Sequence, residues 1–243
     1  MSTPSYSELT AAIRQEGEGI LTSGRQDLDL PVKTCGDWLM HDLLLHVGRV
    51  YTRAGTLVGE RLTTEQEYPS APPEGTEPVD YLSHALEELV EALTSADPDT
   101  PVWNWSSEPD TAAFWARRMA HESAVHRYDA QRAHGLAQPI DADLAHDGLD
   151  ELVDVIVPRV ISRDGLTLPE ATLCFHATDE GEWGLRLGPA GLERLHVVKS
   201  SDVTVRGTAS ALLLAAYGRV RWTSLDVEGN AELLDTWSQT LTF

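Results

Sequence analysis

A chain of 243 residues in which 39 acidic side chains outweigh 18 basic ones carries a formal charge of −21. A surface that acidic repels phosphate backbones and anionic membranes, which argues against nucleic-acid or membrane-surface binding. Its 42% apolar content supports a sizeable core in one large or two modest domains.

Residues 5–23 place Leu9, Ile13 and Ile20 on one side and predict a first helix. A connector containing Pro31 follows, and a second helix is expected from Gly36-Asp37 to Gly59. Its stripe, Leu39, Leu43, His46, Val50 and Leu57, puts His46 in a slot otherwise given to aliphatic residues. Pro69 to Gly75 reads as a proline-stiffened loop. Leu82, Leu86, Leu89 and Leu93 predict a third helix over 78–95. The segment Pro98 to Pro109 is another loop, with Trp103 and Trp105 available as a lid or wall. A fourth helix contains Phe114 to Asp129, with Asp110 placed to cap its start and Gly135 to end it. Four amphipathic helices joined by medium loops predict a four-helix bundle.

Beyond Gly135 the pattern changes. A helix over about 141–157 is expected to stop at Pro158 and lead into a second unit. Ala171–Ala177, Trp183–Leu187, Leu195–Val198, Val203–Arg206 and Leu225–Glu228 read as short strands. Thr208–Tyr217 and Asn230–Gln239 read as helices. The fold class is therefore α+β, with a helical bundle over residues 1–157 and a small α+β domain over 158–243. The start, Met1 to Glu16, lacks the apolar region of a leader, and no run long enough to span a membrane occurs. Cys35 and Cys174 read as reduced thiols rather than a disulfide, so a cytoplasmic setting is expected.

The chemistry concentrates on the fourth helix. Alternate steps of four and three link Trp115, Met119, Glu122, His126, Asp129 and Ala133 on one stripe, where a core is normally faced. Charges buried there must be paired, protonated or bound to a metal. Glu122 and His126, four apart, are neighbours on one face. His121-Glu122 is not the start of a protease His-Glu-x-x-His motif, because His121 and His126 lie roughly 140° apart around an ideal helix. Joining His46 from the second helix to Glu122 and His126 makes a His₂Glu set, and three protein ligands with an open position mark a catalytic zinc site. Asp42 and Asp129, each one turn from a histidine, are placed to hydrogen-bond the rings. Two plainer readings compete: His46 as a satisfied core histidine, and Glu122 as the ion-pair partner of Arg118. Cys35, at a helix start, reads as a structural thiol.

The segments Cys35-Gly-Asp-Trp-Leu-Met-His-Asp-Leu-Leu-Leu-His46 and Arg117-Arg-Met-Ala-His-Glu-Ser-Ala-Val-His-Arg-Tyr-Asp129 resemble the mycothiol-dependent maleylpyruvate isomerase family. The first domain of that family is a DinB-like metal-binding bundle. Val205-Arg-Gly-Thr-Ala209, Tyr217-Gly-Arg-Val220 and Val227-Glu-Gly229 are similar to its smaller C-terminal domain, so the resemblance spans nearly the whole chain. It implies a divalent metal, usually zinc, at His46, Glu122 and His126, mycothiol as thiol cosubstrate, and a catalytic arginine matched by Arg219. Leu39-Met40-His41 stands where relatives commonly carry a Thr-Val-Arg-like stretch, which alters a charge beside the site and leaves the ligand positions in place.

Zinc deprotonates a coordinating thiol, and only the thiolate attacks. The expected function is therefore attack of mycothiol on a small-molecule electrophile, by S-transfer or cis–trans isomerisation. Asp129 and Arg219 are the catalytic candidates. Arg49 and Arg53 are candidates for gripping a carboxylate, against the plainer reading of solvent-facing charge. A thiol-independent metal hydrolase and a non-catalytic small-molecule-binding protein are the alternatives. Oligomeric state leaves no mark in the sequence.

Overall fold

The computed structural model describes residues 3–67, 72, 74–196, 198 and 200–241. Ser5 starts helix α1 (Tyr6–Gly24) with a capping box: its hydroxyl accepts from Glu8 N while Glu8 Oε2 accepts from Ser5 N. Ile13 and Ile20 on its inner face are fully buried, each stabilising by about 1.5–3 kcal/mol. Helix α2 (Met40–Gly59) is opened by Asp42, whose Oδ2 accepts from Leu39 N at 2.9 Å. Helix α3 (Pro78–Ser95) has proline in its first turn, where the missing donor costs nothing. Helix α4 (Ala112–Ala133) closes with Gly135 at φ 72°, the left-handed conformation that glycine adopts without strain. Packing of α1 on α3 and α4, and of α2 on α3 and α4, makes the four-helix bundle. Most of the proline loop expected at Pro69–Gly75 lies outside the described residues.

Three local expectations are corrected. The buried face of α2 is Met40, Leu43, Leu44, Val47, Tyr51, Ala54, Leu57 and Val58, so the core stripe is rotated and His46 and Val50 sit on its edge. The reason is the seam with α3. A Cβ at Gly48 would meet Tyr81 at 2.7 Å, and one at Gly55 would meet the Leu89 backbone at 3.3 Å. Asp110 does not cap α4: Thr111 holds that position, and Asp110 Oδ1 accepts from Asn104 N at 2.8 Å and Asn104 Nδ2 at 3.0 Å instead. Pro158 does not end its helix. Helix α5 (Ala142–Glu151) runs through a π turn, Leu152–Ile156, into α6 (Val157–Asp164). The wider turn ahead of Pro158 accommodates a residue with no N–H to give.

The chain divides into compact units Pro4–Ile140 and Asp141 onward. The seam thus falls before α5, where the sequence reading put it after residue 157, because α5 packs on a helix of the second unit. That unit is built on strands β1 (Ala171–Ala177), β2 (Glu182–Gly188), β3 (Gly191–Leu195), β4 (Val203–Gly207) and β5 (Asp226–Gly229). They form one sheet in the order β3-β2-β1-β4-β5, with β1 and β4 parallel and the other pairs antiparallel. The strand expected at Leu195–Val198 lies earlier, as β3, and Val197 is outside the described residues. Helix α7 (Ala209–Ala216), which packs on α5, and α8 (Glu232–Thr240) complete it. Phe175 is its centre, stacked on Trp222 at 5.6 Å and edge-on to Trp237 at 5.7 Å. Among the described residues no helix is long and apolar enough to cross a membrane.

Candidate metal centre

Helix α4 is buried on nearly every side, yet its inward positions include Arg118, His126, Arg127 and Asp129. Charges in such a place need partners, and α2 brings one. His46 Nε2 and His126 Nε2 each lie 3.2 Å from Glu122 Oε1. The imidazole rings stand 5.1 Å apart and nearly perpendicular. All three donor atoms fall within 4.8 Å of one another. Ligands on a tetrahedral zinc sit about 3.3 Å apart, given bond lengths of roughly 2.0–2.2 Å, so the donor set fits one divalent cation.

Other polar atoms hold these donors in place. Arg118 Nη2 donates to Glu122 Oε2 at 2.9 Å. Asp129 Oδ2 faces His126 Nδ1 at 3.0 Å and accepts from Cys35 Sγ at 3.3 Å. An acceptor on Nδ1 keeps a proton there and aims the other ring nitrogen, Nε2, at Glu122, where a proton or a cation can lie between the two. One turn away, Tyr51 donates to Ser123 Oγ at 2.6 Å, and Ser123 donates to Met119 O, tying α2 to α4. Burial pushes the Tyr51 phenol up, so it remains a donor.

The electrostatics favour positive charge at this point. Burial works to raise the Glu122 carboxyl, but hydrogen bonds from His126 and His46 and the fields of His126 and Arg118 hold it well below the usual carboxylate range. Burial works to lower His126, but Asp129, Cys35 and Glu122 raise it well above the usual imidazole value. A proton or a cation is stabilised by the same surroundings.

Side-chain exposure falls from 24% at His46 through 18% at Glu122 and 9% at His126 to 0% at Asp129, so the cluster opens on the His46 and Glu122 side. There a cavity of about 240 Å³ is lined by Arg49, Arg53, Trp105, Trp115, Arg118 and Glu122, among others. Arg53 also lies 5.9 Å over the Trp103 ring, and Trp115 Nε1 donates to Trp103 O at 2.8 Å. The tryptophans expected as a lid or wall are therefore wall and support. Neither Arg49 nor Arg53 has an acidic partner among the described residues. Hollows of about 540, 560 and 600 Å³ elsewhere are larger but include none of His46, Glu122 and His126 in their lining, whereas the smaller cavity includes Glu122, so volume alone does not mark the site.

The structure thus brings His46, Glu122, His126 and Asp129 together, with Arg49 and Arg53 alongside. His121 is buried outside this cluster. Asp42 departs from expectation: its carboxylate is spent on Leu39 N and lies 3.4 Å from His41 Nδ1 rather than on His46. Arg219 belongs to the second unit, where its Nη1 donates to Tyr217 O at 2.8 Å. The Arg118–Glu122 pair, read from sequence as a competitor of a metal site, coexists with the meeting of His46, Glu122 and His126. Sequence reasoning missed the contact of Cys35 with Asp129 and that of Trp38 with His46, ring centroids 4.9 Å apart. Both lie in a connector without periodicity, where only a helix-start cysteine was visible.

A four-helix bundle carrying a His₂Glu cluster, followed by a mixed-sheet second unit, defines an α+β protein of two units. Residues 10–131 match the family model described as mycothiol maleylpyruvate isomerase N-terminal domain, and residues 143–236 match the MDMPI C-terminal domain. The chain belongs to the mycothiol-dependent maleylpyruvate isomerase family. Among solved structures it is similar to a histidine-to-alanine mutant of the mycothiol-dependent maleylpyruvate isomerase, with a TM-score of 0.64 and 14% identity over 94% of this chain and 96% of that one. A second structure of that isomerase gives a TM-score of 0.60 and 15% identity over 90% and 92%. No curated protein matches. At such identities the likeness is one of fold.

Proposed function

We propose that this chain is a divalent-metal enzyme that directs the thiol of mycothiol at an electrophilic small molecule, either by maleylpyruvate-type isomerisation or by S-transfer. The observation that carries the reading is the meeting of His46, Glu122 and His126 at 3.2 Å spacings beside an arginine-lined cavity. These three residues would hold the ion. Zinc suits two imidazoles and a carboxylate with one position left over. When bound, it supplies a Lewis acid that favours the thiolate of a coordinating thiol at neutral pH.

The chain's own groups do the rest. Asp129 holds the His126 proton on Nδ1 and so aims the other nitrogen. Arg118 offsets the charge on the second Glu122 oxygen. Arg49 and Arg53 are placed to grip a carboxylate on the acceptor, and Trp105 and Trp115 limit water beside it. Arg219 enters as a catalytic candidate through the resemblance of Tyr217-Gly-Arg-Val220, not through its surroundings. Addition of sulfur to a conjugated alkene, rotation and elimination give isomerisation, whereas release of the adduct gives conjugation. Two reduced thiols suit the cytoplasm, where we place the reaction.

The test is metal analysis of purified protein with turnover assayed with and without mycothiol, in wild type, His46→Ala and His126→Ala. Both variants are expected to lose the metal and roughly a thousandfold in thiol-dependent rate, the scale of several kcal/mol of transition-state stabilisation. Full activity in either variant overturns the reading. Turnover without thiol points to a hydrolase, and ligand binding without turnover to a binding protein.

A further inference from the structure

The connector between α1 and α2 touches the donor set twice. Pro31 and Leu39 form an isolated antiparallel bridge, Val32 N donates to Trp38 O at 2.8 Å, and Met40 N donates to Leu30 O at 2.9 Å. Inside that closed loop a 3₁₀ turn, Lys33–Cys35, is stopped by Gly36 at φ 71° and ψ −122°. That backbone conformation strongly favours glycine. A loop pinned at both ends by main-chain hydrogen bonds presents its side chains from a fixed base. One of them, Cys35, places Sγ 3.3 Å from Asp129 Oδ2, the same oxygen that faces His126 Nδ1 at 3.0 Å. The other, Trp38, lays its indole 4.9 Å from the His46 ring, tilted at 47°.

The two imidazoles come from different helices, and the His46 ring is the more exposed. On α2 the carboxylate one turn earlier, Asp42, is committed to the helix start, so it does not orient His46 as Asp129 orients His126. The Trp38 indole lies against that ring. We infer that residues 31–39 form a brace in which Cys35, against both Asp129 and the His126 ring, and Trp38, by direct ring contact, are positioning residues for His126 and His46. One loop thereby fixes both histidines, and their mutual geometry does not depend on α2 and α4 alone. Neither residue touches substrate in this assignment.

The inference rests on the metal reading above, and its test separates the two. Zinc affinity is measured by competition with a chromophoric chelator for wild type, Trp38→Leu, Trp38→Phe, Cys35→Val and Cys35→Ser. The visible spectrum of each cobalt-loaded form is recorded alongside, because a merely structural residue leaves the ligand field unmoved. Trp38→Leu and Cys35→Val are expected to weaken zinc binding by about ten- to a hundredfold, as partners of ligating residues do, and to shift the cobalt bands. Trp38→Phe, which keeps a ring, and Cys35→Ser, which keeps a donor to Asp129, are expected to recover most of the loss. If Trp38→Leu fails to fold, the Cys35 pair and Trp38→Phe decide. Affinities within twofold of wild type and unchanged spectra in Cys35→Val and Trp38→Leu overturn the brace while the metal reading stands. A wild-type protein that binds no zinc overturns both.

Discussion

Arg127 and His126 are neighbours on α4, both buried, and they end in opposite kinds of environment. Arg127 Nε donates to Glu16 Oε2 at 2.5 Å, and its terminal nitrogens donate to Gln131 Oε1, Gln138 O and Pro139 O at 3.0, 2.6 and 3.1 Å. Its partners are protein atoms on three sides, and the pair clamps α1 and the segment after α4 to the helix. His126 shares Glu122 with His46 and Arg118, and that group stays partly exposed beside a cavity. Buried charge alone therefore does not mark a functional site. The useful sign is an arrangement whose protein partners leave a side open.

The comparison breaks most sharply at Glu16. Glu16→Ala strands the Arg127 guanidinium in the interior, so a loss of about 3–5 kcal/mol in stability is expected, read by urea denaturation. Zinc affinity of whatever stays folded should be unchanged, and a matching loss of affinity would merge the two clusters into one. Asp129→Asn addresses the open cluster. It removes the charge that holds the His126 proton and is expected to weaken zinc binding by about 10–100-fold. Its melting temperature should fall much less than that of Glu16→Ala, since the side chain keeps its shape.

The smallest effect is on pH, and the two groups act with opposite sign. Glu122 is depressed in the folded chain, so its contribution is present above the ordinary carboxylate range and is lost as pH falls through the depressed value. His126 is raised, so its contribution is complete below the ordinary imidazole value of 6.5 and is lost as pH rises through the raised one. Protein kept in chelator is expected to lose stability toward both extremes in melting curves. Zinc should remove the alkaline loss, because the ion takes the place of the His126 proton. An alkaline limb identical with and without zinc would contradict the shared position of proton and metal.

Much of this was legible in the residues. Glu122 and His126 four apart on an inward stripe could be read directly, whereas the leucine stripe that singled out His46 is rotated in the structure and leaves that residue on the edge of the buried face. The α+β order, with helices before strands, was readable from the change of period near Gly135. What escaped reading has physical causes. Asp42 and Asp110 are carboxylates near helix starts, where a side chain has several backbone donors within reach, and spacing does not say which it takes. Pro158 removes a donor, but a widened turn absorbs that loss without ending the helix. The rotation of α2 escaped because close packing at Gly48 and Gly55 depends on side chains that are absent, and an apolar stripe counts only those present. Cys35 and Trp38 lie where backbone hydrogen bonds, not periodicity, decide direction.

The glycine seam between α2 and α3 has a consequence for how this scaffold diversifies. With backbone pressed against side chain at Gly48 and backbone against backbone at Gly55, α2 has no slack on that flank, so a larger residue there would shift the rod that carries His46. On the proposed function, new acceptor shapes are more readily accommodated across the opening, by exchanging Val50, Trp105 or Met119, than by widening the bundle from behind.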